Sequence, residues 1–102
     1  MRVEQALVDV EIGFKGKRVK LKALVDTGAS KSVISKRLAD YLGAFTPLEK
    51  PYELRTADKG GRLKITGYCN LDVAFEGVEV PGGARFEAAE NLREGIELII
   101  GR

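Results

Sequence analysis

Histidine and tryptophan are absent from this 102-residue chain, and there is one cysteine, Cys69. Without histidine, Ser-His and Cys-His catalysis and His-ligated metal sites are excluded. A lone cysteine has no internal disulfide partner, which points to a reducing compartment and a cytoplasmic protein. No apolar run approaches the roughly 20 residues of a membrane span, and no signal-peptide core opens the chain. An excess of one charge sign is also missing: 17 Lys and Arg stand against 15 Asp and Glu, spread along the sequence. No basic stripe marks a nucleic-acid partner.

The chain is 44% hydrophobic and 31% charged, a composition that folds rather than stays disordered. At this length one domain is expected, burying roughly two-thirds of its unfolded surface. Twelve glycines cut the chain into short segments. Ala6 to Ile12 alternates: Ala6, Val8, Val10 and Ile12 share one face, Asp9 and Glu11 the other. That is the pattern of a half-buried strand. Gly13 to Lys17 reads as a hairpin turn, and Arg18 to Asp26 as the return strand.

From Ser32 to Leu42 the period changes to that of a helix, with Ile34, Leu38, Tyr41 and Leu42 on one face. Ser32 or Ser35 caps its start and Gly43 closes its end. Thr46-Pro47 and Lys50-Pro51 mark a loop or edge segment before a short strand from Tyr52 to Arg55. Ala57 to Arg62 is a glycine-tipped hairpin. Leu63 to Phe75 is a long strand or bent pair with a bulge at Gly67. Arg85 to Ala89 and Glu97 to Ile100 are further strands, separated by a polar turn from Asn91 to Gly95. Many short strands and one helix predict an all-β, closed or sandwiched fold. The three tyrosines and Cys69 are expected to pack.

One segment carries chemistry: Leu24-Val25-Asp26-Thr27-Gly28-Ala29-Ser30. A carboxylate at the end of an apolar strand is costly unless something needs it there. The order of apolar run, Asp, hydroxyl, Gly and small residue suits an aspartic peptidase, which activates water between two carboxylates sharing one proton.

The chain resembles the retropepsin-like (retroviral-type) aspartic peptidases, its microbial members in particular. Three features in the right order carry the resemblance: the Asp26 segment, the hairpin around Lys59-Gly60-Gly61, and Leu98-Ile99-Ile100-Gly101-Arg102. It implies a single-lobed, closed β-barrel of acid-protease type with one helix. In such a fold the Ile99-Ile100-Gly101 segment packs against the Asp loop in a ψ-shaped crossing. Asp26 would be catalytic, with Thr27 and Gly28 supporting the loop. The hairpin from Asp58 to Arg62 would be a flap. Ala29, Ser30, Lys59, Gly60, Gly61 and Ile99 would contact substrate, with Tyr52 at the flap base.

One Asp-Thr-Gly supplies one carboxylate, so the resemblance implies a homodimer joined through the Asp26 loops, acting on an extended peptide or protein. No cofactor or metal is implied, and no nucleic-acid or membrane partner. Residues 1–102 are expected to be one domain, lacking the helix and final strand that relatives carry after the corresponding Gly-Arg. Ser30 stands where retroviral enzymes have an Asp that pairs with the Arg matching Arg102. The alternatives to a homodimeric endopeptidase are a peptide-binding module of the same fold without catalysis, and an autoprocessing domain of a longer protein.

Overall fold

The computed structural model describes residues 5–26, 28–55 and 61–101. Strand β1 (Gln5–Phe14) and strand β2 (Lys17–Asp26) pair in unbroken register from Gln5 opposite Asp26 to Phe14 opposite Lys17. Lys15 and Gly16 turn the hairpin with φ of 50° and 86°. Two consecutive positive φ values give the twist that a two-residue hairpin requires. This register puts Val10, Ile12 and Ala23 inside. It leaves Lys22 and Asp9 facing each other outside, 2.8 Å apart.

Strand β3 (Val33–Ser35) leads into helix α1 (Lys36–Leu42). The expected helix from Ser32 therefore begins four residues late. Val33, Ile34 and Ser35 are all buried, paired with two other strands, and that burial outweighs the helical spacing of Ile34 with Leu38. Of the two candidate caps, Ser35 is the one used: its hydroxyl accepts from the Leu38 N–H at 3.1 Å. Gly43 closes the helix at φ 74°. Tyr41, expected to pack, is 60% exposed, and the Lys17 ammonium lies 4.6 Å from its ring centre.

The remaining strands are β4 (Thr46–Arg55), β5 (Arg62–Phe75), β6 (Val78–Glu79), β7 (Ala84–Ala89) and β8 (Leu98–Ile100). Pairing runs β1-β2-β8-β3-β7-β5, and β5 returns to β1 between Val10–Phe75 and Gly13–Asp72. That circuit is a closed six-strand barrel, which leaves no edge within the ring. Strands β4 and β6 attach to β5 outside the circuit. Edge position explains how β4 tolerates Pro47 and Pro51: its register shifts between Pro47 and Tyr52. Among the described residues, no helix is long and apolar enough to cross a membrane.

Two apolar clusters fill the fold. One sits inside the barrel around Ile12, Ile34, Val73, Phe86 and Leu98. The second, around Leu24, Val33, Leu63, Ile65 and Ile99, lies where β2, β8 and the base of the β4–β5 hairpin meet. Strand β5 serves both because its register with β7 slips between Ile65 and Gly67, the bulge expected at Gly67. Here the absent side chain matters: a Cβ on Gly67 would lie 2.5 Å from the Thr46 carbonyl oxygen and against the Phe45 ring. Gly67→Ala should cost about 1–3 kcal/mol through this overpacking. Urea unfolding measures it, and an unchanged midpoint would contradict the close approach.

Candidate active site

The apolar run of β2 delivers Asp26 to a position only 3% exposed, the last residue of the ladder with β1. The chain then turns back on itself. The Gly28 N–H donates to Asp26 Oδ1 at 2.9 Å, and the Ala29 N–H donates to the Asp26 carbonyl at 3.0 Å. This is the turn that a short acidic side chain makes with its own backbone. Among the described residues Gly28 is the one donor to this carboxylate.

What holds the turn is strand β8. It lies between β2 and β3, parallel to β2 through Leu24–Ile99 and antiparallel to β3 through Val33–Ile99. Consecutive strands β2 and β3 are therefore not neighbours, and the loop joining them passes over the end of β8. Contact there is at backbone distance. The Gly101 N–H donates to Ser32 Oγ at 3.1 Å. A Cβ on Gly101 would lie 2.7 Å from the Lys31 carbonyl carbon and 2.9 Å from the Ala29 oxygen. Only glycine lets the two segments cross this closely. The ψ-shaped crossing is present.

Beside Asp26 opens a cavity of about 180 Å³. Leu24, Leu63, Leu92, Ile96 and Ile99 form apolar walls, and Gly61 and Arg62 stand where β5 leaves the hairpin. Asn91 ties this rim together, accepting from the Lys64 N–H at 2.7 Å and donating to the Arg62 carbonyl at 3.0 Å. The pairs Tyr52–Ile65 to Arg55–Arg62 carry the β4–β5 hairpin over this side of the molecule. A buried carboxylate at one wall of a cleft lined by five apolar side chains and by Arg62, Asn91 and Arg93 is suited to proton transfer with a bound polar bond.

A family model described as "gag-polyprotein putative aspartyl protease" matches residues 8–91. The chain belongs to this retropepsin-like family. Among solved structures it is similar to the retroviral protease-like domain of Ddi1 from Leishmania major. That match has 26% identity and a TM-score of 0.59, covering 93% of this chain and 71% of the other. No curated protein matches the sequence.

Of the expected site residues, the retropepsin-like fold brings Asp26, Gly61 and Ile99 to one cavity. Ala29 is buried behind it, in the cluster with Leu24 and Ile99. Gly28 and Ser30 are exposed and do not line it. Thr27, Lys59 and Gly60 lie outside the described residues, as do Asp58 and Arg102. Three of the apolar walls, Leu63, Leu92 and Ile96, lie outside the motifs that the sequence marks, and Leu24 is marked only as part of the Asp26 segment. Ordinary core residues and cleft residues look alike there.

A polar network next to the Asp loop was also missed. Glu87 on β7 is 5% exposed. The Tyr52 hydroxyl donates to its Oε1 at 2.7 Å and Arg85 Nε to its Oε2 at 2.8 Å. Lys31 Nζ in turn donates to the Tyr52 oxygen at 3.2 Å. Burial alone would raise the Glu87 pKa, but the Arg85 and Tyr52 hydrogen bonds and the charges of Arg85 and Lys31 outweigh it and hold the carboxyl below its ordinary value. Burial and the Glu87 hydrogen bond raise the Tyr52 pKa, so the phenol stays a donor. Burial, then the Glu87 charge, push the Cys69 thiol up to about 12, which leaves it un-ionised and unreactive at neutral pH. The signal for Glu87 was present: like Asp26, it is a carboxylate in an apolar run, Phe86-Glu87-Ala88-Ala89.

Because its folded pKa lies below the ordinary 4.5, Glu87 stabilises the fold above that pH and loses its contribution as pH falls through the folded value. Glu97 behaves alike: burial raises its pKa, and Ser35 and Arg37 lower it further than that. Glu87→Gln should therefore destabilise the protein at neutral pH and flatten part of its acid-side loss. Thermal melts from pH 7 down into this range test it; parallel curves for variant and parent would contradict the assignment.

Proposed function

We propose that this chain works as a homodimeric aspartic endopeptidase, with Asp26 meeting its own copy across a two-fold axis. The observation that carries this reading is the buried Asp26 at one wall of an apolar cleft, in a loop that a crossing strand holds from behind. One chain supplies one carboxylate, and the chemistry takes two. Gly28 donates to Oδ1 of Asp26, and in this reading the second carboxylate approaches Oδ2.

In the symmetric pair the two carboxyl groups share one proton. The ionised one takes a proton from water as the oxygen attacks the peptide carbonyl carbon. The protonated one gives its proton to the carbonyl oxygen. The tetrahedral intermediate then collapses, with a proton passing to the leaving nitrogen as the C–N bond breaks. The substrate would lie extended between the β4–β5 hairpin and the Asp26 loops, held by backbone hydrogen bonds and by side chains in the Leu24–Ile99 cavity.

Asp26→Asn should lower peptide cleavage by about 10²–10⁴-fold while leaving the circular dichroism spectrum unchanged. Specific activity of the parent should rise with protein concentration in step with dimer mass measured by light scattering. Parent-like cleavage by the Asn variant would sink the mechanism. A strict monomer that binds peptides and cleaves none at any pH would favour a binding module instead.

A further inference from the structure

A second cavity, of about 410 Å³, borders the crossing, lined by Lys31, Ser32, Arg85, Glu87 and Gly101. We infer that it is a subsite for an acidic side chain of the bound peptide, with Lys31 and Arg85 as the recognising groups. This deepens the reading of the Asp26 cleft as a peptide site and rests on it.

The lining holds two cations and one carboxylate, and the carboxylate is already used. Both Glu87 oxygens are taken, one by Tyr52 and one by Arg85. Lys31 makes no ion pair among the described residues: its ammonium donates to the Tyr52 hydroxyl and lies 5.0 Å from that ring's centre. Arg85 gives Nε to Glu87 and stacks 4.0 Å from the Tyr68 ring centre. Its two terminal nitrogens have no acceptor among the described residues. One unit of positive charge is therefore left over, on side chains that aromatic rings already hold in place. A carboxylate entering this cavity would meet donors with little ordering left to do.

Position fits a peptide in the main cleft. Ile99 lines the Asp26 cavity and Gly101 lines this one, two residues apart along one segment, or about 7 Å. An extended peptide advances about 3.3 Å per residue, so the acidic side chain would lie within two or three residues of the scissile bond. Tyr52 joins the two sites, packing its ring on the Leu24–Ile99 cluster and turning its hydroxyl to Glu87 and Lys31. A basic side chain at the same place would be rejected by like charge.

The test is a set of extended peptides in which Glu, Gln or Lys occupies each position in turn, offered to the 102-residue chain. At one position Glu should be favoured over Gln by roughly tenfold in kcat/KM, the worth of one charge-assisted hydrogen bond, with Lys worse than Gln. Lys31→Met should erase that preference, bringing the Glu and Gln peptides to the same kcat/KM, and Lys31→Glu should turn it toward Lys. Raising the salt concentration should shrink it. If no peptide is cut, the same set is titrated by fluorescence anisotropy. Binding that favours Glu at one position and loses that preference in Lys31→Met keeps the subsite and removes only the catalytic reading. Equal treatment of Glu and Gln at every position, or a preference that survives in Lys31→Met, overturns the inference.

Discussion

The rest of the structure hangs on one backbone crossing. Strand β8 enters between β2 and β3, and Gly101 passes so close to residues 29–31 that no side chain fits between them. That crossing joins β2 to β3 through a third strand and so makes one link of the barrel circuit. It also presses the loop after Asp26 from behind, so the carboxylate is set by two ladders rather than by a free turn. Ile99 then has two duties, as a rung of both ladders and as a wall of the cleft. Fold and site share the same few atoms.

Two carboxylates are buried near this crossing, and they are treated in opposite ways. Glu87 is saturated by a phenol and a guanidinium and held ionised. Such a group rigidifies its surroundings and has no capacity left for chemistry. Asp26 receives one backbone donor from the described residues, although it is as buried as Glu87. The fold keeps it at the wall of the cleft lined by Leu24, Leu63 and Ile99. In the proposed mechanism Glu87 is the structural acid and Asp26 the reacting one.

Much of this was readable in the sequence because it was local. Alternation in residues 6–12 and 19–25 specified both faces of the first hairpin, and the Asp26 segment with Ile99-Ile100-Gly101 marked the family. The helix start was misread because Val33 and Ile34 obey a helical spacing and a strand's burial equally well. Pairing with β7 and β8, distant in sequence, decided between them. Helical spacing puts Tyr41 on one face with Ile34, Leu38 and Leu42, yet its ring faces outward under Lys17.

By itself, then, the sequence determined the chemistry on offer: no histidine, one motif carboxylate, a glycine-tipped hairpin and an apolar segment ending in glycine. Periodicity and turn residues are local signals, and they survive without knowledge of neighbours. Only the tertiary structure decided which residues meet. The cavity walls Leu24, Leu63, Leu92 and Ile96 come from three separate segments, as do Lys31, Tyr52, Arg85 and Glu87. Convergence of that kind is set by strand order and register, which depend on long-range packing energies that no single stretch of chain records.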